Sequence, residues 1–116
     1  MRVTISGKHM ETGEALKEHI ESHLQASVSK YFENAIDATV VFSKREHFFH
    51  CHITVNEGVK DGIIITAEDE KPDVYTAFNS ALDKAEKQLR RYKRKLKDRS
   101  QRVSLGEISA KKVAES

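Results

Sequence analysis

Residues 73–99 read DVYTAFNSALDKAEKQLRRYKRKLKDR and carry a long, regular apolar pattern. Apolar side chains recur on steps of three and four residues, the spacing that lines up one face of an α-helix. Their positions are Val74, Phe78, Leu82, Ala85, Leu89, Tyr92 and Leu96. The pattern predicts a long amphipathic helix whose apolar stripe packs against another layer of structure.

The other side of this predicted helix is densely basic. At about 100° per residue, six cations project from the side opposite the apolar stripe or from next to it. Lys84, Lys87, Arg91 and Arg94 lie opposite the stripe, and Arg90 and Lys95 lie beside them. Such a positive ridge is typical of surfaces that bind polyanions, and RNA is the expected polyanion. We predict these six cations as the RNA-binding residues.

Charge is segregated along the chain, although the net charge is only +2. Residues 1–83 contain 8 Lys and Arg against 14 Asp and Glu, a net charge of −6, whereas residues 84–102 contain 10 against 2, a net charge of +8. Like charges three or four positions apart on a helix repel each other by roughly 0.2–0.5 kcal/mol per pair. A purely solvated face would more comfortably mix signs, so the segregation favours a polyanion-binding face.

The rest of the chain predicts a small α+β domain. Alternating apolar residues indicate strands, and a second 3.6-residue pattern indicates a first helix with Thr12 as its cap. The strands are expected at residues 2–6, 37–44, 48–55 and 62–68, and the first helix at residues 13–32. Each helix has one apolar stripe to bury, so both should cover the same face of a four-stranded sheet. The predicted order is β-α-β-β-β-α, with the first two strands parallel and the other sheet face open to water.

Length and composition favour one folded domain in the cytoplasm. A chain of 116 residues is one domain by size. We predict that residues 1–100 form this domain and that residues 101–116 form a flexible tail or the start of a linker. A single cysteine excludes an intrachain disulfide and fits a reducing compartment. No signal peptide or apolar run near the roughly 20 residues of a membrane span is visible, so no membrane partner is expected.

A histidine-rich strand invites a metal-binding interpretation, which we reject. His50 and His52 share one face of the predicted strand, whereas Cys51 between them points to the other face. One ion could not reach all three without breaking the strand. We interpret the histidines, with nearby His47, as water-facing and Cys51 as a core thiol.

Two further clusters also carry no predicted chemistry. His19 and His23 have a metal-clamping spacing on the first helix, but no third ligand accompanies them. The acidic run Glu68–Glu70 has no nucleophile or phosphate-binding loop beside it, and we interpret it as a strand end followed by a loop. We therefore predict no catalytic residue, no metal, no cofactor and no small-molecule substrate, and a protein that is not an enzyme.

Several short motifs, in order and spacing, resemble those of the ribosome hibernation-promoting factor family, which includes the ribosome-associated inhibitors. The motifs are Ile5-x-Gly7, Glu14-Ala15-Leu16, Tyr31-Phe32, Asp73-x-Tyr75-x-Ala77, Asp83-Lys84, Lys87-Gln88-Leu89 and Lys93-x-Lys95-Leu96-Lys97. The resemblance spans about residues 1–99 and implies the same β-α-β-β-β-α fold, which is similar in outline to a double-stranded RNA-binding domain. It places Lys84, Lys87 and Arg91 at basic positions of the family's second helix.

The resemblance also implies a function. Family members bind the small ribosomal subunit, through its rRNA, in the channel for messenger and transfer RNA near the decoding centre. There they inhibit translation and protect idle ribosomes during stationary phase or stress. Longer members add a linker and a second domain that brings two ribosomes together, so this chain is either a short form or the first domain of a long form. Phe78-Asn79, and Lys71-Pro72 before the helix, depart from the family pattern.

Three rival functions make different experimental predictions, and the sequence favours none of them over ribosome binding. A generic double-stranded RNA-binding module would bind free duplex as well as it binds ribosomes. A protein-interaction domain would dock its basic helix on an acidic partner, and a metal-dependent enzyme would contain stoichiometric zinc. Lys8, Lys44 and Arg45, in predicted loops or turns, are secondary candidates for RNA contact.

Overall fold

The computed structural model describes residues 1–59 and 64–106, and the side chains of residues 1–59 and 64–98. It contains six elements in the predicted order. They are β1 (Arg2–Lys8), α1 (Glu14–Ser29), β2 (Asp37–Arg45), β3 (Phe48–Asn56), β4 (Ile64–Lys71) and α2 (Val74–Gly106). No helix among the described residues is both long enough and apolar enough to cross a membrane.

The strands form one mixed sheet in the order β1-β2-β3-β4. β1 and β2 are parallel, with Ile5 opposite Val40, because α1 carries the chain back across the sheet between them. The other neighbours are antiparallel, and Ile53 of β3 lies between Val40 and Ala67 of its two neighbours. The predicted α+β fold is therefore confirmed.

The core lies between the sheet and the two helices. Alternate residues of the central strands are fully buried, including Val40 and Ile53, and they pack against α1 through Ile20 and against α2 through Phe78 and Leu89. Both helices cover the same sheet face, as predicted from their single apolar stripes. The opposite face carries the other half of the alternation and remains exposed or half-exposed.

The loop after β3 depends on a glycine. Gly58 has a φ of +82°, and a Cβ there would lie 2.6 Å from the backbone oxygen of Asn34. Its N–H donates to the Asn56 side chain over 3.1 Å, which closes a short turn. No other residue type fits both the backbone angle and the space.

The predicted ends of α1 are wrong. The helix ends at Ser29, because Tyr31 and Phe32 belong to a turn in which both N–H groups donate to the Val28 carbonyl. Their apolar side chains continue the helical spacing but pack on the core from outside the helix. At the other end Gly13 occupies the N-cap position without a side-chain hydrogen bond, so Thr12 is not the cap.

The junction of β4 and α2 also differs from the prediction. β4 continues to Lys71, so Glu68–Glu70 lie within the strand and not partly in a loop. α2 begins at Val74, and Asp73, expected inside the first turn, instead caps it: its side chain accepts from the Thr76 N–H over 3.0 Å. The predicted strand start at residue 62 lies outside the described residues.

The far end of α2 extends beyond its predicted limit near Arg99. The helix continues to Gly106, because no proline interrupts it and its first glycine is its last residue. Residues 107–116, most of the predicted tail, lie outside the described residues. The division into a domain at 1–100 and a tail at 101–116 stays a prediction.

Candidate nucleic-acid interface

α2 lies over the sheet with contacts on both flanks, which leaves its outer side to solvent. On the β4 flank, Gln88 Nε2 donates to the Thr66 carbonyl over 2.6 Å. On the α1 flank, Glu86 Oε2 lies 3.4 Å from Lys30 Nζ. These contacts fix the rotation of α2 about its axis and therefore fix which side chains face outward.

The six predicted RNA-binding residues all lie on this exposed part of α2. Each is exposed, and none contributes to the core. They form two rows: a crest row, farthest from the sheet, and a β4-side row on the flank that carries Gln88. The β4-side row is Lys84, Arg91 and Lys95, which lie beside β4 residues Asp69 and Ile65. Helical angles give Lys87, Arg90 and Arg94 as the crest row. Lys84 and Arg91 therefore lie on the flank and not opposite the stripe as predicted, whereas Arg90 lies on the crest. Helical geometry spreads the rows over about 16 Å along the axis.

Two of the six cations are paired with acids of the same chain. Lys84 Nζ lies 3.4 Å from Asp69 Oδ2, and Lys87 Nζ lies 3.4 Å from Asp83 Oδ2 one helical turn earlier. Both lysines remain more than half exposed, so these pairs are weak in water and can be exchanged for a phosphate. Their acids nevertheless reduce the positive potential at that end of the ridge.

Asp69 anchors β4 to α2. Its side chain accepts hydrogen bonds from the Ser80 hydroxyl and from the Glu70 N–H over 2.8 Å. The Ser80 hydrogen bond, the Glu70 N–H and the Lys84 ammonium together lower the pKa of Asp69 to about 2. The carboxylate is therefore ionised at any physiological pH, and it holds Lys84 beside the strand.

The remaining four cations lie close together on the half of the ridge farther from the start of α2. Within the described side chains, Arg90, Arg91, Arg94 and Lys95 have no carboxylate within 4.0 Å. They span less than two turns of helix, and three of them are arginines, which can pair with a phosphate through two hydrogen bonds.

Lys93 belongs to the same basic run but points to the α1 flank. Its Nζ donates to the Tyr31 carbonyl over 2.7 Å and lies 5.8 Å from the centre of the Phe32 ring. The next ring, Tyr92, is half buried and lies 5.9 Å from Phe32. Tyr92 therefore packs on the core margin, as its place on the apolar stripe predicts.

The secondary candidates for RNA contact lie away from the ridge. Lys44 lies at the end of β2, where β3 residue Phe49 pairs with both Lys44 and Lys71, the last residue of β4. Lys8 and Arg45 lie at the same end of the sheet. Lys71 is close to the start of α2, and Lys84 is about 15 Å farther along the helix. These side chains form a separate surface.

The histidine strand has the geometry that the alternation predicts. Cys51 is fully buried, and burial with the nearby Asp69 charge raises its pKa to about 12. His50 faces the open side of the sheet, where its Nε2 lies 2.6 Å from Glu68 Oε1. This hydrogen bond lowers the pKa of Glu68. Among the described residues no three metal-ligating side chains come together.

The histidine pair of α1, His19 and His23, makes structural contacts. His19 Nε2 lies 3.2 Å from the Asn79 side-chain oxygen, and the His19 ring stacks at 4.1 Å on His23. Tyr75 meets the same imidazole edge-on at 5.1 Å. His19 thus joins α1 to the start of α2.

Sequence reasoning missed one feature of the β4 flank. Ile65, Gln88 and Tyr92 line a shallow cavity together with Arg91 and Lys95. The sequence contains part of the pattern that indicates this cavity, because Gln88 and Tyr92 lie one turn apart at the border between the apolar stripe and the basic ridge. The β4 contribution required the packing of strand on helix, which no local pattern encodes.

Two relatives with known names match most of this chain in sequence. The chain is 35% identical over 98 residues to a ribosome hibernation promotion factor of Rhizobium meliloti, a match that covers 84% of this chain but only 50% of that protein. The chain thus spans about half the length of this relative. A ribosome hibernation promoting factor of Salmonella typhimurium is 33% identical over 99 residues, which cover 84% of this chain and 98% of that protein.

A solved structure has the same architecture. The crystal structure of the Thermus thermophilus Protein Y N-terminal domain superposes with a TM-score of 0.70 at 26% identity and covers 79% of this chain and 99% of that one. The sequence model of the family described as sigma 54 modulation protein / S30EA ribosomal protein matches residues 3–97. The chain therefore belongs to this family, which is the ribosome hibernation-promoting factor family that its motifs resemble.

Proposed function

We propose that this chain binds the small ribosomal subunit in the channel for messenger and transfer RNA, near the decoding centre, and inhibits translation during stationary phase or stress. The main support for this proposal is the ridge on α2, which places six exposed cations on one side of a helix whose other side is buried. Family membership selects the ribosome as the polyanion. The proposed place of action is the cytoplasm.

The proposed mechanism is steric and needs no catalysis. Lys and Arg side chains that neutralise rRNA phosphates release condensed counterions, which favours binding at low salt. Contacts to phosphates position a protein but read little sequence, so selectivity for one site would come from the shape of a folded RNA pocket. A rigid α+β body held in the channel would exclude messenger and transfer RNA.

The first test is co-sedimentation of this chain with purified small ribosomal subunits at low and at raised salt. The proposal expects near one-to-one binding that messenger and transfer RNA displace. Pelleting that duplex RNA abolishes equally well would indicate a generic double-stranded RNA-binding module. Absence of binding at both salt concentrations would refute the ribosomal role and favour an acidic protein partner.

A matched pair of charge-reversal variants tests the site. Lys84, Lys87 and Arg91 replaced together by Glu should abolish binding, because the ridge would repel phosphate. The control replaces Arg2, Lys17 and Lys71 by Glu, which changes the net charge equally at positions away from the ridge. The control should retain most of the binding, and circular dichroism should show that both variants are folded. Equal losses in the two variants would contradict the assignment of the site to α2.

A further inference from the structure

A shallow cavity of about 190 Å³ lies between β4 and the β4-side row of α2. Its lining consists of Ile65, Gln88, Arg91, Tyr92 and Lys95. The cavity combines an apolar wall with two cations, and this combination distinguishes it from the rest of the ridge, where the cations stand on an exposed helix surface. A phosphate contact alone would need no apolar wall.

The apolar wall is held in place by packing on the rest of the domain. Ile65 belongs to β4 and is only 2% exposed, so the strand fixes its position. The Tyr92 ring is held from the other side by Phe32, with the ring centres 5.9 Å apart. A planar group that enters the cavity would therefore meet a ring that is already packed on another ring, which reduces the entropy cost of stacking.

One polar group of the cavity, the Gln88 amide, is held in place before any ligand binds. Gln88 donates its amide N–H to the Thr66 carbonyl over 2.6 Å, which fixes the amide and leaves its oxygen as an acceptor. Arg91 and Lys95 lie one helical turn apart and have no carboxylate within 4.0 Å among the described side chains. The cavity thus offers two cations and an acceptor beside an aromatic ring.

We propose that this cavity binds one unstacked nucleotide of single-stranded RNA, with the base against Tyr92 and the phosphate between Arg91 and Lys95. The Gln88 oxygen would accept a hydrogen bond from a base amino group. Unstacked bases with an anionic backbone are the ligand class that uses aromatic and cationic groups together. An apolar peptide would leave both cations without partners. This inference rests on the proposed function for its choice of RNA as the polymer.

The test is an NMR titration of the whole chain with adenosine 5′-monophosphate and, separately, with ribose 5-phosphate, which has the phosphate but no base. The nucleotide should shift the signals of the Gln88 side-chain amide, the Ile65 methyl groups and the Tyr92 ring. Stacking should make its Kd about fivefold or more lower than that of ribose 5-phosphate. Equal affinities, or shifts that avoid these three residues, would overturn the proposal.

Two variants separate the cavity from general attraction by the ridge. Lys95→Ala should weaken nucleotide binding by about threefold, whereas Lys97→Ala removes the same charge two residues away on the opposite side of α2 and should leave binding unchanged. Equal losses would again overturn the proposal. Subunit co-sedimentation of the same protein keeps the two claims apart. Ribosome binding without these shifts refutes only the cavity, and these shifts without ribosome binding refute only the ribosomal role.

Discussion

Replacing Asp69 with Asn tests whether a charged carboxylate anchors β4 to α2. The amide keeps the shape of the side chain and removes its charge, so the contacts with the Ser80 hydroxyl, the Glu70 N–H and Lys84 all weaken. The pKa of Asp69 is lowered from 3.8 to about 2, which corresponds to at most about 2.4 kcal/mol at 1.36 kcal/mol per pH unit. Because the Lys84 side chain is 54% exposed, solvent screens its share.

We therefore expect Asp69→Asn to lower the free energy of unfolding by about 1–2 kcal/mol at pH 7, or Tm by roughly 4–8 °C per kcal/mol. The folded-state pKa lies below the unfolded value, so this stabilisation is complete above about pH 4 and is lost as the pH falls toward 2. The difference between wild type and variant should fall to roughly half by pH 3.

The assay is urea unfolding followed by far-UV circular dichroism at pH 7 and pH 3. The matched control is Glu70→Gln, the same chemical change at the exposed neighbouring position, which should alter stability by no more than about 0.5 kcal/mol. A loss for Asp69→Asn below about 0.5 kcal/mol at pH 7, or a loss that is the same at pH 3, would refute the charged anchor.

Three further predictions concern the core, a turn and the thiol. Phe78→Ala removes a fully buried ring and should lower the free energy of unfolding in urea by about 3–5 kcal/mol; a loss below about 1 kcal/mol would contradict the described packing. Gly58→Ala forces a Cβ against Asn34 at positive φ and should lower thermal stability by more than about 1 kcal/mol, whereas Gly13→Ala, where a Cβ meets open space, should cost less. Equal effects of the two substitutions would contradict the turn geometry. Cys51, whose pKa burial raises to about 12, should react with Ellman's reagent at pH 8 only after unfolding in urea, and rapid labelling of the folded protein would show that the thiol is accessible.

The fold was predictable because the two-residue period of the strands and the 3.6-residue period of the helices are both regular in the sequence. Strand alternation and helical stripes each bury one face, and together they leave one arrangement of layers. The element ends were less predictable, because a boundary depends on groups outside the periodic pattern. Phe32 keeps the helical spacing of α1 although the chain has already turned. Asp69 occupies an inward position of β4 although its charge resembles that of a loop residue.

The ridge was predictable from helical angles alone, since exposure on a packed helix follows from its apolar stripe. The contacts that the ridge cations make with other elements could not be predicted in this way. The Lys84–Asp69 contact joins residues on different elements, and the cavity beside Arg91 requires Ile65 from a strand that local spacing does not relate to the helix. Long-range pairs of this kind appear only when strand and helix are packed together.

α2 is held by the core along only part of its length. Leu89 is its last fully buried side chain within the described residues, and Tyr92 and Lys93 still contact Phe32 and Tyr31. The turn from Arg94 to Asp98 carries only half-buried or exposed groups. A helical segment without tertiary support is marginal in water, and adjacent cations destabilise it further. Amide hydrogens beyond Lys93 should therefore exchange with solvent faster than those before it. A bound polyanion would remove the repulsion between these cations, so its binding would be coupled to the local ordering of the helix. The conformational entropy lost on ordering would lower the observed affinity.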